Sequence, residues 1–266
     1  MAWKWPWKAS SGAAVDFGQW KWDVHSHLVP GVDDGAATMK EALDMLRGME
    51  ALGYVGLVVT PHVMSDLYPN TPATLQPAFE ALQSKAKASG IQVELRLAAE
   101  YMMDSHLLEL LRNGQILDFP CTSIPDGKYH RMVLMEFGFH QAPPKDLVKE
   151  AMFLAQTQGY TPLLAHCERY PYLHKDEELL TLWQERGGWM SVNAASLAGA
   201  YGPETKEMAA RCMKRGWVSF VCSDAHGMRH VKALETLTTS RTLAKWLGSD
   251  ACLLYTSPSP RDLRKS

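Results

Sequence analysis

Residues 20–59, WKWDVHSHLVPGVDDGAATMKEALDMLRGMEALGYVGLVV, contain the pattern that sets the fold class. WKWDV (20–24) and VGLVV (55–59) are short runs rich in β-formers, and the segment between them carries helix signals. Thr38 followed by Glu41 reads as a capping box, and the helix it opens stops at Gly53. Strand, helix, strand in this spacing is a βαβ unit, which implies parallel strands.

Working outward, the unit recurs. VELRLA (93–98), RMVLME (131–136), TPLLA (161–165), WMSVN (189–193) and WVSFV (217–221) are the remaining strand candidates. Their apolar residues run on continuously, as expected of parallel strands covered on both faces. Helices are predicted from Thr71-Pro72 to Gly90 and over 143–159 and 203–216, each opening at a proline and closing on a glycine. Shorter helices are predicted over 104–112, 176–186 and 232–247. Seven strands in alternation with helices, with no linker or internal repeat, predict one α/β domain over residues 20–250: a distorted, TIM-like (β/α)7 barrel.

The 266-residue composition narrows the function classes. With 46% hydrophobic residues, 27 Lys+Arg against 29 Asp+Glu and a net charge of −2, the chain is globular rather than disordered. It shows no electrostatic footprint for nucleic acid. The five cysteines, at 121, 167, 212, 222 and 252, form no CxxC pair and read as reduced thiols, so a cytoplasmic location is expected. The lead segment 1–19 is Trp- and Lys-rich, lacks the apolar core of a signal peptide, and is expected to be flexible. No stretch approaches the ~18 apolar residues that span a bilayer, so no stable membrane insertion is expected. Self-association through helical faces or the lead stays open. Residues 251–266, ACLLYTSPSPRDLRKS, are expected to be a non-native or truncated tail.

In a barrel, reactive groups sit just after the strands, at the C-terminal face. Those positions hold His25, His27 and Asp34 after the first run, His62 after the second and Glu100 after the third. Glu136 ends the fourth, His166 follows the fifth, and Asp224 and His226 follow the seventh. Asn193 ends the sixth and is not counted as a ligand. Each piece alone has a bland reading, such as a buried ion pair or a turn residue. Together, carboxylates converging on one pocket repel one another and lose hydration, a penalty that cations remove. The N/O donor set without thiolate suits Mn, Fe or Zn, and its size suits more than one ion and a hydrolytic site. The remaining histidines (106, 130, 140, 174 and 230) read as surface residues, His230 being the exception to watch.

HSHLVPGVDDGA, TPHV, AAEYMMD, LMEF, LAHCERY, VNAASLAG and SDAHG resemble, in that order, motifs of the polymerase-and-histidinol-phosphatase (PHP) superfamily. Within it the chain is similar to the bacterial metal-dependent protein-tyrosine phosphatases of capsule and exopolysaccharide biosynthesis, over about residues 20–250. The resemblance implies a distorted (β/α)7 barrel with three metal ions, often manganese. One ion would take His25, His27, Glu100 and Asp224; a second would share Glu100 and add Glu136 and His166; the third would use Asp34, His62 and His226. Arg169 matches the family's phosphate-binding arginine, and Arg229 is the candidate for a second. Asp33 is the candidate for protonating the leaving phenolate; a water would serve as well. Cys167 is read as a core thiol, because HCERY is not the Cys-x5-Arg loop of cysteine phosphatases.

The leading expectation is a manganese-dependent phosphatase that hydrolyses phosphotyrosine on proteins with a metal-activated water. Its expected protein substrate is a tyrosine kinase of polysaccharide biosynthesis. Two alternatives stay open: a small-molecule phosphomonoesterase, such as a histidinol phosphatase, and a metal-binding regulatory module without catalysis.

Overall fold

Strands β1 (Trp22–Asp23), β2 (Gly56–Val59), β4 (Glu94–Leu97), β7 (Tyr129–Glu136), β8 (Tyr160–Leu164), β9 (Trp189–Asn193) and β10 (Val218–Cys222) form on the segments expected of them. The computed structural model describes residues 21–122 and 129–237. The expectations for the lead 1–19, the tail 251–266 and any helix beyond residue 237 lie outside the described residues. β2 resumes as β3 (His62–Val63) after Thr60-Pro61, and β4 resumes as β5 (Glu100–Met102) after Ala98-Ala99.

Parallel pairing runs β1 to β2 to β4, then β3 to β5 to β7, β8, β9 and β10. The ring closes where Ser26 bridges Ala225: His27 N–H donates to Ala225 O at 2.9 Å and Asp224 N–H to His25 O at 3.0 Å. Among the described residues, counting each interrupted strand once gives seven parallel positions around a closed, kinked barrel. β6 (Phe119–Thr122), antiparallel to β7, was not anticipated, since Pro120 argues against a strand; it pairs off the main path, where proline is tolerated.

The outer layer is α1 (Met39–Ala51), α2 (Pro72–Ala88), α3 (Ser105–Arg112), α4 (Lys145–Thr157), α5 (Glu178–Glu185), α6 (Ala194–Ala198), α7 (Pro203–Lys214) and α8 (Met228–Leu237). α8 begins at 228 rather than the expected 232. At the start of α1, Thr38 accepts from Glu41 N–H, but the Glu41 carboxylate takes Ala37 N–H, so the expected box is only half made. None of the helices of the described residues is long and apolar enough to cross a membrane.

Period-two alternation splits the strand side chains into two cores. Met132 and Leu134 of β7, Leu163 of β8, Ala165 just after it, and Phe220 and Cys222 of β10 meet Val58, Ala98 and Trp22 in an inner cluster. Val133, Met135 and Leu164 face the helices instead. Glu136 and Asp224 continue the inward alternation of β7 and β10, so both carboxylates arrive at the barrel mouth above an apolar plug.

Candidate metal centre

Local backbone features aim the side chains. His166 (φ 31°) and Asp224 (φ 51°) adopt the left-handed conformation, which turns the chain sharply at the ends of two strands. Such backbones cost of order 1–3 kcal/mol and persist where the surroundings hold them. In PGVDDG, Gly35 passes so close to His27 that a Cβ would lie 2.2 Å from His27 O. That approach is closed by Ala36 N–H donating to His27 O at 3.0 Å. Asn70 ties this loop to the second strand, its side-chain amide donating to Val32 O and His62 O, each at 2.9 Å.

Glu100, wholly buried, is the hub. Its Oε2 lies 3.0 Å from His25 Nε2, 3.3 Å from His27 Nε2 and 3.2 Å from His62 Nδ1. Its Oε1 lies 3.0 Å from His166 Nε2. Glu136 Oε1 approaches His62 Nδ1 at 2.8 Å, and Asp224 Oδ1 approaches His25 Nε2 at 3.5 Å and His226 Nδ1 at 3.3 Å. Asp34 Oδ1 stands 3.4 Å from His62 Nε2 and 3.5 Å from His226 Nε2. All nine sequence-selected side chains therefore lie around one mouth.

Among the described residues, three subsets bring their donor atoms within 4.8 Å of one another: His27, Asp34, His62 and His226; His25, His27 and Glu100; and His62, Glu100 and Glu136. This grouping differs from the partition that the resemblance implies. His62 faces Glu136 as well as Asp34, and His166 lies 3.0 Å from Glu100 but 4.0 Å from Glu136. Glu100 Oε1, Glu136 Oε1 and Asp224 Oδ1 are buried and make no well-formed hydrogen bond. Carboxylates gathered out of water at one mouth are unfavourable unless positive charge sits among them, and the imidazoles between them are donors for an ion, so the residues fit cations.

The titration behaviour says the same. Burial alone would lower the histidine pKa values, yet the Glu100 and Asp224 carboxylates raise His25 to about 9. The bonds to Asp33 and Glu100 likewise lift His27 to about 10. Burial disfavours charge on Glu100, but His25 and His62 hold it well below the carboxylate range. Burial and the adjacent Glu100 charge push Glu136 up. Burial and the neighbouring His27 hold His226 down at about 4.

The sequence profile of the family described as capsular polysaccharide synthesis, CpsB/CapC, matches residues 21–259. The chain belongs to this CpsB/CapC family. It is 28% identical to the tyrosine-protein phosphatase YwqE of Bacillus subtilis (strain 168) over 242 residues, 91% of each chain. It is 26% identical to the tyrosine-protein phosphatase CpsB of Streptococcus agalactiae serotype V over 211 residues, 77% of this chain and 83% of that one. A crystal structure from work on YwqE of B. subtilis and CpsB of Streptococcus pneumoniae, described as metal-dependent tyrosine phosphatases, has the same fold. It superposes with a TM-score of 0.68 at 25% identity, covering 90% of this chain and 98% of that one.

Three residues of this CpsB/CapC chain have surroundings that sequence reasoning did not foresee. Asp33, expected as a leaving-group acid, is engaged on both oxygens. Oδ2 pairs with His27 Nδ1 at 2.7 Å and takes His62 N–H at 3.0 Å, while Oδ1 takes Gly35 N–H at 3.0 Å. Despite burial, these bonds hold its pKa at about 2, so it keeps a proton on His27 rather than supplying one of its own. Asn193 Nδ2 and Arg169 Nη1 both donate to Asp224 Oδ2, at 2.8 and 2.9 Å, which leaves Oδ1 for the cluster. Glu168, beside Arg169 in HCERY, is buried and takes Asn193 N–H at 3.0 Å and the Ser196 hydroxyl at 2.5 Å, fixing the turn from β9 into α6. A buried amide among acids at a strand end was the available signal for Asn193.

Arg169 lies beside the cluster with its guanidinium 4.4 Å from the Tyr201 ring and 5.0 Å from the Phe139 ring. Ring faces hold it without using its in-plane N–H donors. Arg229 is exposed on the first turn of α8, and its charge reaches Tyr201 and His230. His230 is not a free surface group, because its Nδ1 accepts His226 N–H at 3.1 Å. His174 and His130 are also half-buried, next to Glu168 O and Thr161. Cys167 is wholly buried, its Sγ 4.0 Å from Cys212 Sγ, and the contact with Cys212 together with burial raises its pKa, as befits a core thiol.

Proposed function

We propose that the chain is a metal-dependent phosphatase that hydrolyses phosphotyrosine on proteins, with manganese as the metal and a tyrosine kinase of polysaccharide biosynthesis, in the cytoplasm, as substrate. The carrying observation is the set of buried carboxylates, Glu100, Glu136 and Asp224, that converge with imidazole nitrogens at the barrel mouth. An N/O donor set without thiolate suits Mn, Fe or Zn. The relatives named as tyrosine-protein phosphatases support the reaction class.

His25, His27, Asp34, His62, Glu100, Glu136, His166, Asp224 and His226 would hold the ions, Glu100 being central enough to be shared. When bound, cations supply positive charge to the phosphate oxygens and acidify a water nucleophile. Asp33 fixes His27 with its Nδ1 protonated, which leaves Nε2 for the cluster. Asn193 and Arg169 hold one Asp224 oxygen and so orient the other. The remaining N–H groups of Arg169 can grip two phosphate oxygens in a fork, and Arg229 at the rim is the second candidate phosphate contact. With Asp33 ionised, protonation of the leaving phenolate falls to water.

The test is turnover of p-nitrophenyl phosphate and a phosphotyrosine peptide before and after complete metal removal with EDTA. Loss of activity on removal and recovery with Mn2+ are expected. Undiminished turnover without metal overturns the mechanism, and a large kcat/KM preference for a small metabolite phosphate overturns the protein substrate.

A further inference from the structure

Among the exposed large hydrophobic side chains of the described residues, Phe139, at 37% exposure, is placed unusually. Val55 just precedes β2 and Tyr129 begins β7, both at the end of the barrel away from the mouth; Phe153 lies on the outer helix α4, and Leu67 lies in the connection between β3 and α2. Phe139 instead follows β7 and stacks on a cluster residue, its ring centroid 5.6 Å from that of His166 with the planes 23° apart. Tyr170 supports it from another side at 5.5 Å, and the Arg169 guanidinium lies 5.0 Å from its centroid. An anion-gripping group, an open aromatic ring and the barrel mouth therefore coincide.

The mouth has a second aromatic, Tyr68, stacked on His62 at 5.6 Å. The charged groups that act on it are the Asp34 and Asp33 carboxylates. The Phe139 side carries a cation, and Arg169 touches both the Phe139 ring and, through its bond to Asp224, the metal cluster.

We propose that Phe139 and Arg169 form an aryl-phosphate slot, in which Arg169 grips the phosphate and the substrate's phenyl ring stacks on the open part of the Phe139 ring. Stacked aromatic pairs lie 4.5–7 Å apart between centroids, roughly the spacing Phe139 already keeps to His166. Phe139 thereby sets a preference for aryl over alkyl phosphate monoesters. The slot rests on the phosphatase reading for its biological meaning, but it is a binding property that can be measured without turnover.

The experiment uses the manganese-loaded full chain as wild type, Phe139→Ala and Phe139→Trp. Two ratios are measured: kcat/KM for a phosphotyrosine peptide over a phosphoserine peptide of the same sequence, and affinity for phenylphosphonate over methylphosphonate by calorimetry. Phe139→Ala is expected to lower both ratios about tenfold, the scale of one aromatic contact with its buried area. Phe139→Trp, which keeps a ring, is expected to retain them. Phe139→Leu replaces the alanine variant should that fail to fold. Unchanged ratios in Phe139→Ala overturn the slot while leaving the phosphatase reading standing. A proportional loss on both substrates also overturns it, since that is what simple shielding of His166 predicts. Wild type that binds phenylphosphonate preferentially, in a Phe139-dependent way, but hydrolyses neither peptide keeps the slot and overturns the phosphatase reading. Wild type with no phenylphosphonate preference overturns the slot regardless of hydrolysis.

Discussion

The floor and the rim of the metal centre are built differently. On the floor, His25, His27, Glu100, Glu136, His166 and Asp224 are at most 2% exposed and sit at or just beyond strand ends, above an apolar plug. On the rim, the side chains of Asp34, Arg169 and His226 are 53%, 26% and 16% exposed. Floor charges balance one another inside the fold, so structure and chemistry there cannot be separated. Rim charges can exchange their partners for water, so a change there alters ligand holding and leaves the barrel standing. Asp33 and Asp34 put the contrast in one dipeptide: Asp33 is locked on His27, and Asp34 is half open to solvent.

The sharpest way to break this comparison is Glu100→Gln against Asp34→Asn. Glu100 faces four imidazoles. Its amide variant should lose more turnover on p-nitrophenyl phosphate than the roughly 10–100-fold typical of an outer partner. Its Tm should fall too, because raised imidazoles lose their main counter-charge. Asp34→Asn should weaken metal binding in a titration with little change in Tm. Equal Tm losses in the two variants would remove the distinction between floor and rim.

Asp33→Asn tests the link between them. Metal affinity should fall roughly 10–100-fold, because His27 loses its charged partner and an amide cannot accept on both sides as the Asp33 carboxylate does. In the metal-free protein the pair also stabilises the fold. His27 is raised to about 10, so its contribution is full below its ordinary 6.5 and fades as pH rises through 10. Asp33 is depressed to about 2, so its share is present above 3.8 and is lost as pH falls towards 2. The Tm gap between wild type and variant in chelator should therefore be widest from about pH 4 to 6.5 and narrow above 10. A gap that grows at high pH would refute the pairing.

The smallest expected effect lies away from both regions. Thr38→Ala removes the one side-chain bond capping α1 and should destabilise by about 1 kcal/mol. That corresponds to roughly 2–4 °C in Tm for a domain of this size, measured by thermal melting, with turnover per folded molecule unchanged.

Much of the barrel was legible because parallel strands announce themselves as apolar runs between helix caps. WMSVN matched β9 residue for residue, and Gly53, Gly90 and Gly216 mark helix ends at positive φ. β6 was not legible, since Pro120 hides a strand that pairs only at an edge. The breaks at Thr60-Pro61 and Ala98-Ala99 were equally hidden, although they deliver His62 and Glu100 to the mouth. Asn193 was passed over because an amide carries no charge, and its bond to Asp224 exists only once β9 and β10 lie side by side.

By itself, the sequence determined which chemistry gathers at the mouth: every parallel strand of a βαβ barrel ends on the same face, so the acids and histidines after those strands had to meet. Which of them share an oxygen, which are locked and which stay open was decided only by tertiary structure. Those outcomes depend on distances across the ring and on burial, and chemically identical neighbours such as Asp33 and Asp34 differ in nothing else.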